Sequence, residues 1–391
     1  MKKRRRLKKG FRYFFISIGA LLFLSLTFVV VQAFFKDDFE YKTLINHLSN
    51  IQISKEDARE QIREIPVKEK YEYTYVSFDV LDMGEEIYTP KGAGYRYGPS
   101  IINNEDGSRD IWFARPGNNS TEWDYISYMH QDSEGNYSKE KVVLRPTPNS
   151  LDKYSTCDPG VIYFDDYYYL AYTSTIDPTD NGVNNELYVA RSKNPDGPYE
   201  KWNGNGWGGM PEPIIEYLEY DGGWGVGEPS FVIKGDILHL YYSYINQGNN
   251  VTRVMIADLC EDWPNTLRNE SDVFHKKNNQ DSCDVVYLDE YNKFLAFAVT
   301  QRLTADSGII IYESEDGYNF ENYTYIRTNL EDYIHNMGIS KGLDGHISMD
   351  DDLVICYAYS KNDTLSWGKW STRIQPIKLK YITEEEYRWF F

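Results

Sequence analysis

The stretch Tyr154–Ser174, YSTCDPGVIYFDDYYYLAYTS, carries the clearest fold signal in the chain. Its β-branched pair Val161-Ile162 and its aromatic run Tyr167–Tyr172 suit pleated, half-buried surfaces. The polar turn Asp165-Asp166 joins them, which predicts a β-hairpin. Proline cannot donate a ladder hydrogen bond, so it belongs at the start of a strand. The pair Asp158-Pro159 therefore predicts a carboxylate at the mouth of a strand.

The same sequence pattern recurs along the chain. It reads YGPSIINNEDGSRDIWFA from Tyr97, GEPSFVIKGDILHLYYSY from Gly227, CDVVYLDEYNKFLAFA from Cys283 and HNMGISKGLDGHISMDDDLVICYAYS from His335. A repeat of this length, with several short strands in each copy, is typical of a β-propeller. We therefore predict an all-β, five-bladed β-propeller.

A propeller places the first strand of every blade along the central axis. The acidic residues at the start of these strands, Asp158, Glu228 and Asp284, are then expected to converge on one pocket although they are far apart in sequence. This convergence is the basis of the functional hypothesis.

The N-terminal segment predicts a membrane anchor. Eight of the first twelve residues are Lys or Arg, and Tyr13–Phe35 then runs for 23 residues without a charge. About 20 apolar residues span a bilayer, and basic residues in front predict a cytoplasmic N-terminus. We assign 1–35 as the cytoplasmic tail and signal anchor, with the remainder outside the cytoplasm. The alternative is a cleaved signal peptide with Val31-Gln32-Ala33 at the cleavage site, which would make the protein secreted.

A charged stem, 36–70, precedes the predicted propeller domain, 71–391. The whole chain carries −19, so the residues after the basic tail carry −27. This acidic, aromatic-rich domain argues against nucleic acid as a partner, because phosphates require Lys and Arg. The membrane, through the N-terminal helix, and a carbohydrate are the expected partners.

Glycoside hydrolysis needs two carboxyl groups, one to protonate the leaving oxygen and one to activate water or attack directly. The chain resembles the five-bladed glycosidases of glycoside hydrolase family 43, the arabinanases and β-xylosidases, and more distantly the invertases and levanases. The resemblance covers about 310 of the 391 residues. It rests on Asp158-Pro159 with its tyrosine hairpin, on Gly227-Glu228-Pro229-Ser230, and on outer-strand turns such as Ser314-Glu315-Asp316-Gly317.

The resemblance implies that Glu228 is the general acid and that Asp158 tunes it. The family's general base is expected in the first blade, where this chain has Gly98. Asp124, which follows the first hairpin, and Asp284, which heads the fourth axial strand, are the two candidate replacements. We rank Asp124 as the base and Asp284 as a substrate ligand.

Further substrate contacts are expected from side chains of suitable type near these motifs: Arg115, Trp123, Trp224, Arg302, His335 and His346. No cofactor is required for this chemistry. The resemblance allows a central calcium ion, but a hard cation needs several oxygen ligands, and no ligand set is recognisable. We therefore assign no metal-binding residue.

We conclude from the sequence that the chain is a glycosidase, of the inverting type, that acts on extracellular oligo- or polysaccharide. The alternative is a carbohydrate-binding propeller without catalysis, and Gly98 is the feature that favours it. The four cysteines permit three full disulfide connectivities, and the sequence does not choose between them.

Overall fold

The computed structural model describes residues 74–119, 121–179, 182–276, 280, 282–361 and 368–383. The predicted tail and anchor, 1–35, and the predicted stem, 36–70, lie outside these residues. Across the described ranges, none of the helices has the length and apolar character needed to span a membrane.

The described chain is built from twenty-two β-strands. Two short 3-10 helices, Trp263–Thr266 and Asp289–Tyr291, lie in connections between them. In chain order the strands are β1 (Thr74–Val80), β2 (Glu85–Tyr88), β3 (Tyr97–Asn103), β4 (Arg109–Asn119), β5 (Glu122–Gln131), β6 (Lys141–Leu144), β7 (Cys157–Phe164), β8 (Tyr167–Thr175), β9 (Asn185–Ser192), β10 (Glu200–Lys201), β11 (Gly225–Lys234), β12 (Ile237–Ile245), β13 (Asn250–Asp258), β14 (Arg268–His275), β15 (Cys283–Leu288), β16 (Lys293–Thr300), β17 (Gly308–Ser314), β18 (Glu321–Ile326), β19 (Ile334–Lys341), β20 (His346–Ile347), β21 (Leu353–Tyr359) and β22 (Ser371–Thr383). The all-β prediction is confirmed.

The strands pair as successive antiparallel units of four. Unit 1 is β3-β4-β5-β6, unit 2 is β7-β8-β9-β10, unit 3 is β11-β12-β13-β14 and unit 4 is β15-β16-β17-β18. Unit 5 is β19-β21-β22-β1, so the N-terminal strand of the described chain completes the last unit. Two edge additions remain: β2 pairs with β22, and β20 pairs in parallel with β15.

The first strands of the units form a closed ring. Each of β3, β7, β11 and β15 contacts the first strand of the next unit, and β19 pairs in parallel with β3. Side chains repeat the link: Ser100 accepts a hydrogen bond from the backbone N–H of Val161, and Ser230 accepts one from Val285. The recurring Pro-Ser of the sequence motif thus joins neighbouring units at the axis.

The apolar core lies between the units. Adjacent residues of a first strand face opposite neighbours: Val161 packs with unit 1, whereas Ile162 packs with unit 3. The same alternation holds for Val285 and Val286, which face units 3 and 5. A strand that is buried on both faces needs apolar residues at every position, which explains the continuous β-branched runs in the motif. The architecture agrees with the predicted propeller.

Candidate active site

The first strands of units 1, 2 and 3 share a backbone irregularity near their start. The pairing of each strand with its neighbour shifts register around an X-Pro pair, where X is Gly98, Asp158 or Glu228. The residue before the proline has a positive φ in each case: 59° at Gly98, 46° at Asp158 and 51° at Glu228. This conformation is uncommon for residues with a Cβ, and a following proline favours extended backbone.

Backbone strain of this kind concentrates at functional sites, where a register shift can re-aim a side chain. The three residues occupy equivalent positions, as the repeat predicted. Asp284 does not share the feature, because β15 pairs with β16 in unbroken register through that residue.

A pocket of about 600 Å³ opens at this end of the ring. Seven of the ten predicted site residues line it: Trp123, Asp124, Asp158, Trp224, Glu228, Arg302 and His335. A second cavity of about 30 Å³ lies between the first strands and is lined by Asp158, Glu228 and Asp284 among others. The three axial carboxylates therefore converge, although they border two cavities.

Asp124 stands near the start of β5 and reaches the pocket from unit 1. Its carboxylate accepts hydrogen bonds from the Tyr95 hydroxyl at 2.6 Å and from the Ser155 hydroxyl at 3.2 Å. Burial raises the pKa of Asp124 to about 6, and the two hydroxyl donors limit the rise. A carboxyl group of this kind changes charge close to neutral pH, as a general acid or base should.

Glu228 is held by units 2 and 3. Its backbone N–H donates to the Thr173 hydroxyl at 2.9 Å, and its Oε2 accepts from the Ser243 hydroxyl at 2.5 Å. The Lys276 ammonium lies 3.6 Å from the same Oε2, and its side chain is fully buried. Lys276 also donates to Ser243. Sequence reasoning missed Lys276, which follows the last strand of unit 3 and belongs to no motif.

Asp158 faces the position where the family's base is expected. A Cβ placed on Gly98 would lie 3.1 Å from Oδ1 of Asp158 and 3.8 Å from the Asn336 amide nitrogen. The Gly98 backbone N–H donates to Oδ1 of Asn336 at 3.0 Å. A side chain at position 98 would therefore meet neighbours from units 2 and 5.

One wall of the pocket is an aromatic cluster of which only His335 was predicted from the sequence. His335 stacks on Tyr97 and lies 4.1 Å, centroid to centroid, from Trp370. Tyr95 contacts both Tyr97 and Trp370. Tyr95 and Tyr97 directly precede the Gly98 motif, which was an available signal. Trp370 enters from the last unit, and no motif in the sequence marks it.

Two indoles that were predicted as sugar contacts also line the pocket. Trp123 stacks on Tyr154 with the rings 16° from parallel. The carbonyl oxygen of Trp224 accepts from the backbone and side-chain amides of Asn185, which fixes its backbone beside unit 2. Flat indole faces of this kind suit the apolar face of a sugar ring.

Three predicted site residues lie outside the 600 Å³ pocket. Arg115 forms an ion pair with Glu140 at 2.8 Å. His346 contacts Asp289 through Nδ1 at 2.7 Å and the carbonyl oxygen of Ile233 through Nε2 at 2.5 Å. These contacts link neighbouring strands and loops around the ring.

Asp284, the third of these residues, forms a buried ion pair in the ring. Its Oδ1 accepts from Lys341 at 2.5 Å and from Ser230 at 2.7 Å, and its Oδ2 accepts from the Ile339 backbone N–H at 3.0 Å. Both oxygens are therefore engaged by units 3 and 5.

Within the described ranges, no three His, Cys, Asp or Glu side chains group as a metal site would require. At the cavity between the first strands, the Lys341 ammonium pairs with Asp284. The cysteines are all free thiols. Burial and the neighbouring Asp158 and Asp124 raise the pKa of Cys157, so this thiol is protonated rather than nucleophilic.

No family model matches the sequence, and a search of curated proteins found no match. Solved structures do resemble it. A family 117 glycoside hydrolase of the marine bacterium Zobellia galactanivorans aligns over 78% of this chain and 90% of its own, with 15% identity and a TM-score of 0.54. A thermostable family-43 glycoside hydrolase aligns over 76% and 96%, with 13% identity and a TM-score of 0.52.

A third similar structure is an α-L-arabinofuranosidase from Podospora anserina in complex with cellotriose. It covers 77% of this chain and 95% of its own, at 13% identity and a TM-score of 0.53. At such identities the likeness concerns the fold. The predicted resemblance to the family 43 type of glycosidase fold is confirmed at that level.

Proposed function

We propose that the chain is a glycoside hydrolase that cleaves oligo- or polysaccharide outside the cytoplasm, in the central pocket of a five-bladed propeller. One observation carries the proposal: Asp124, Asp158 and Glu228, from three consecutive units, line a single pocket. The closed ring of first strands from five units supports the blade count. The shared fold with several glycoside hydrolases supports the reaction class.

The proposed chemistry is acid/base catalysis without a cofactor. Asp124 and Glu228 divide the roles of proton donor and water-activating base, while Asp158 lies on the ring between them and tunes their protonation. The mechanism we propose is inverting, because in inverting enzymes one carboxyl group protonates the leaving oxygen while the other activates water. Asp124, near the start of β5, thereby supplies the carboxyl group that Gly98 lacks.

The walls of the pocket support a carbohydrate as the partner. Trp123, Trp224 and the cluster of Tyr97, His335 and Trp370 offer flat apolar faces, while Arg302 offers donors to hydroxyl groups. Asp284, Arg115 and His346 contribute by holding strands and loops in place rather than by touching sugar. The acidic charge of the residues after the basic tail argues against nucleic acid as a partner. If a calcium ion is bound, EDTA should lower the melting temperature and added calcium should restore it.

The test is turnover of a panel of aryl glycosides and plant or microbial oligosaccharides by purified wild type and variants. Glu228→Gln and Asp124→Asn should each reduce kcat by ~10²–10⁴-fold, the range for a lost acid or base. Glu134→Gln is the control, because Glu134 is an exposed carboxylate in a turn of unit 1. Proton NMR of the first-formed product should show inverted anomeric configuration. Retained configuration contradicts the inverting mechanism, and equal activity of all variants contradicts the assigned carboxylates.

A carbohydrate-binding propeller without catalysis is the second candidate, and Gly98 is the observation that favours it. It predicts saturable binding of an oligosaccharide by calorimetry with no product formed by the wild type. In that case Trp123→Ala should weaken binding strongly, whereas Glu228→Gln should change it little. Turnover that depends on Glu228 excludes this candidate.

The predicted location is part of the proposal. We propose a single-pass protein of the cell membrane, anchored by Tyr13–Phe35, with the propeller outside the cytoplasm. Cleavage after Ala33 would instead release it as a secreted enzyme.

A further inference from the structure

Lys276 is a buried lysine beside a carboxylate of the pocket. Its side chain is fully buried, and its ammonium lies 3.6 Å from Oε2 of Glu228. A buried ammonium costs several kcal/mol to desolvate unless it is paired. Its contact with a pocket-lining carboxylate therefore suggests a role beyond packing.

The hydrogen bonds between these residues have a direction. An ammonium has donors and no acceptor, so Lys276 must donate to the Ser243 oxygen. The single hydroxyl hydrogen of Ser243 is then free to point at Oε2 of Glu228, 2.5 Å away. The Ser243 hydroxyl thereby donates a hydrogen bond to Oε2, and the Lys276 ammonium lies beside it. Both favour the ionised form of Glu228.

A general acid needs the opposite environment. It must hold a proton near working pH, and an adjacent cation favours loss of that proton. Asp124 has surroundings better suited to a proton donor. Its side chain meets the neutral hydroxyls of Tyr95 and Ser155, and burial raises its pKa to about 6.

Other charged and titratable groups line the two cavities that Glu228 borders. Beside Asp124, Tyr95, Tyr97, Cys157 and His335, they are Asp158, Cys283, Asp284 and Arg302. Asp284 is balanced by Lys341, and burial raises the pKa of the Cys283 thiol to about 11, so neither adds net negative charge. The negative charge of an ionised Asp158 disfavours ionisation of Glu228, whereas the positive charge of Arg302 favours it, as that of Lys276 does.

We propose that Lys276 is a positioning residue that holds Glu228 as a carboxylate, and that Asp124 is the proton donor. This inference rests on the proposed function, and it reverses the division of roles that the family resemblance implies. Asp124 gives its proton to the glycosidic oxygen as the bond to the anomeric carbon breaks. Glu228 takes a proton from water as the water oxygen forms the new bond to that carbon. Glu228 then releases its proton to solvent and Asp124 takes one up, which restores both groups.

The first test needs no substrate. The protein is labelled with carboxyl-¹³C Glu and Asp, and the resonances of Glu228 and Asp124 are identified by their loss in Glu228→Gln and Asp124→Asn. We expect Glu228 to be ionised and Asp124 protonated at pH 5. In Lys276→Met the Glu228 titration should move upward by about 1 to 3 pH units, as expected for loss of an adjacent cation. A protonated Glu228 beside an ionised Asp124 at pH 5 overturns the proposal.

Three variants guard against a merely structural effect. Lys276→Arg keeps the charge and should restore most of the wild-type titration. Ser243→Ala removes one donor with little change in packing, and it should shift Glu228 in the same direction by less. Lys193→Met removes an exposed lysine and should leave the titration unchanged. No shift in either Lys276→Met or Ser243→Ala, with both folded, also overturns the proposal.

The second test uses the pH dependence of kcat/KM. If Glu228 is the base, Lys276→Met should raise the pKa of the acidic limb and leave the alkaline limb in place. Asp124→Asn should lose far more activity on poor leaving groups than on activated aryl glycosides, which leave without a proton. A shift of the alkaline limb, or this selectivity in Glu228→Gln instead, overturns the role reversal. Absence of turnover on every substrate refutes the proposed function, while the NMR titration still decides the protonation states.

Discussion

At the scale of single residues, the candidate site contains three equivalent backbone positions that hold different side chains. Gly98, Asp158 and Glu228 all adopt a left-handed conformation before a proline. In two of them a carboxylate is presented at the cost of backbone strain. In the third, glycine carries no such strain, and Asp124 on another strand of unit 1 brings a carboxylate to the pocket.

Gly98→Ala tests how tightly that position is packed. A left-handed residue with a Cβ costs ~1–2 kcal/mol, and the new methyl would lie 3.1 Å from Oδ1 of Asp158. We expect the free energy of unfolding to fall by ~2 kcal/mol or more and kcat/KM to fall as well, because Asp158 must move. Urea denaturation and turnover measure the two effects.

Gly235→Ala is the matched control for this substitution. Gly235 has the same φ of 59°, but a Cβ added there would meet no atom within 4 Å. It should lose only the ~1 kcal/mol of backbone strain and keep full activity. Equal effects of the two substitutions would show that Gly98 is not crowded by Asp158.

At the scale of elements, the first strands are joined by polar contacts as well as by apolar packing. Asp284 on β15 and Lys341 on β19 form an ion pair in which both residues are buried, at 8% and 1% exposure. The pair also contacts Ser230 on β11. Three neighbouring units are thus connected by one cluster.

Asp284→Ala should therefore lower the free energy of unfolding, rather than mainly weaken substrate binding. Removing one partner of a buried ion pair typically costs ~3–5 kcal/mol, since the other charge stays buried without compensation. Lys341→Met should cost a similar amount. Thermal or urea unfolding of both single variants measures the effect.

The double variant Asp284→Ala/Lys341→Met completes the cycle. Because it leaves no unpaired buried charge, its loss should be smaller than the sum of the two single losses. Additive losses would mean that the two side chains do not stabilise each other. A raised KM with normal stability in Asp284→Ala would return Asp284 to the substrate.

At the scale of the whole molecule, two features organise the protein: ring closure and an uneven charge distribution. Unit 5 is assembled from both ends of the described chain, because β1 pairs with β22 in antiparallel register from Thr74 to Val80. The first twelve residues carry +8, and the rest carries −27. This charge separation is the basis of the proposed membrane anchor, because basic residues favour the cytoplasmic side of a membrane.

The location prediction belongs to this scale. After expression with its complete N-terminus, the protein should sediment with membranes, and protease added to intact cells should reach the propeller. A chain that begins at Glu72 should stay in the soluble fraction. A wholly soluble full-length product whose N-terminus begins after Ala33 would refute the anchor and support cleavage.

The amino-acid sequence by itself determined the all-β class, the repeat and the places of Asp158 and Glu228 at the starts of their strands. These features are local: strand alternation, Pro after an acidic residue and polar turns act through neighbours in the chain. The same local signals located Asp158 and Glu228 at equivalent positions, and adjacency to a motif led to Trp123, Asp124 and Trp224.

Tertiary structure alone decided which polar residues meet. Arg115, Asp284 and His346 have the residue types of a sugar site, but each is engaged by a partner at least 25 residues away in sequence. Lys276 and Trp370 reach the pocket region from connections that no motif marks. The protonation of Glu228 depends on such a contact, because an ammonium acts through its distance in space and not through its place in the chain.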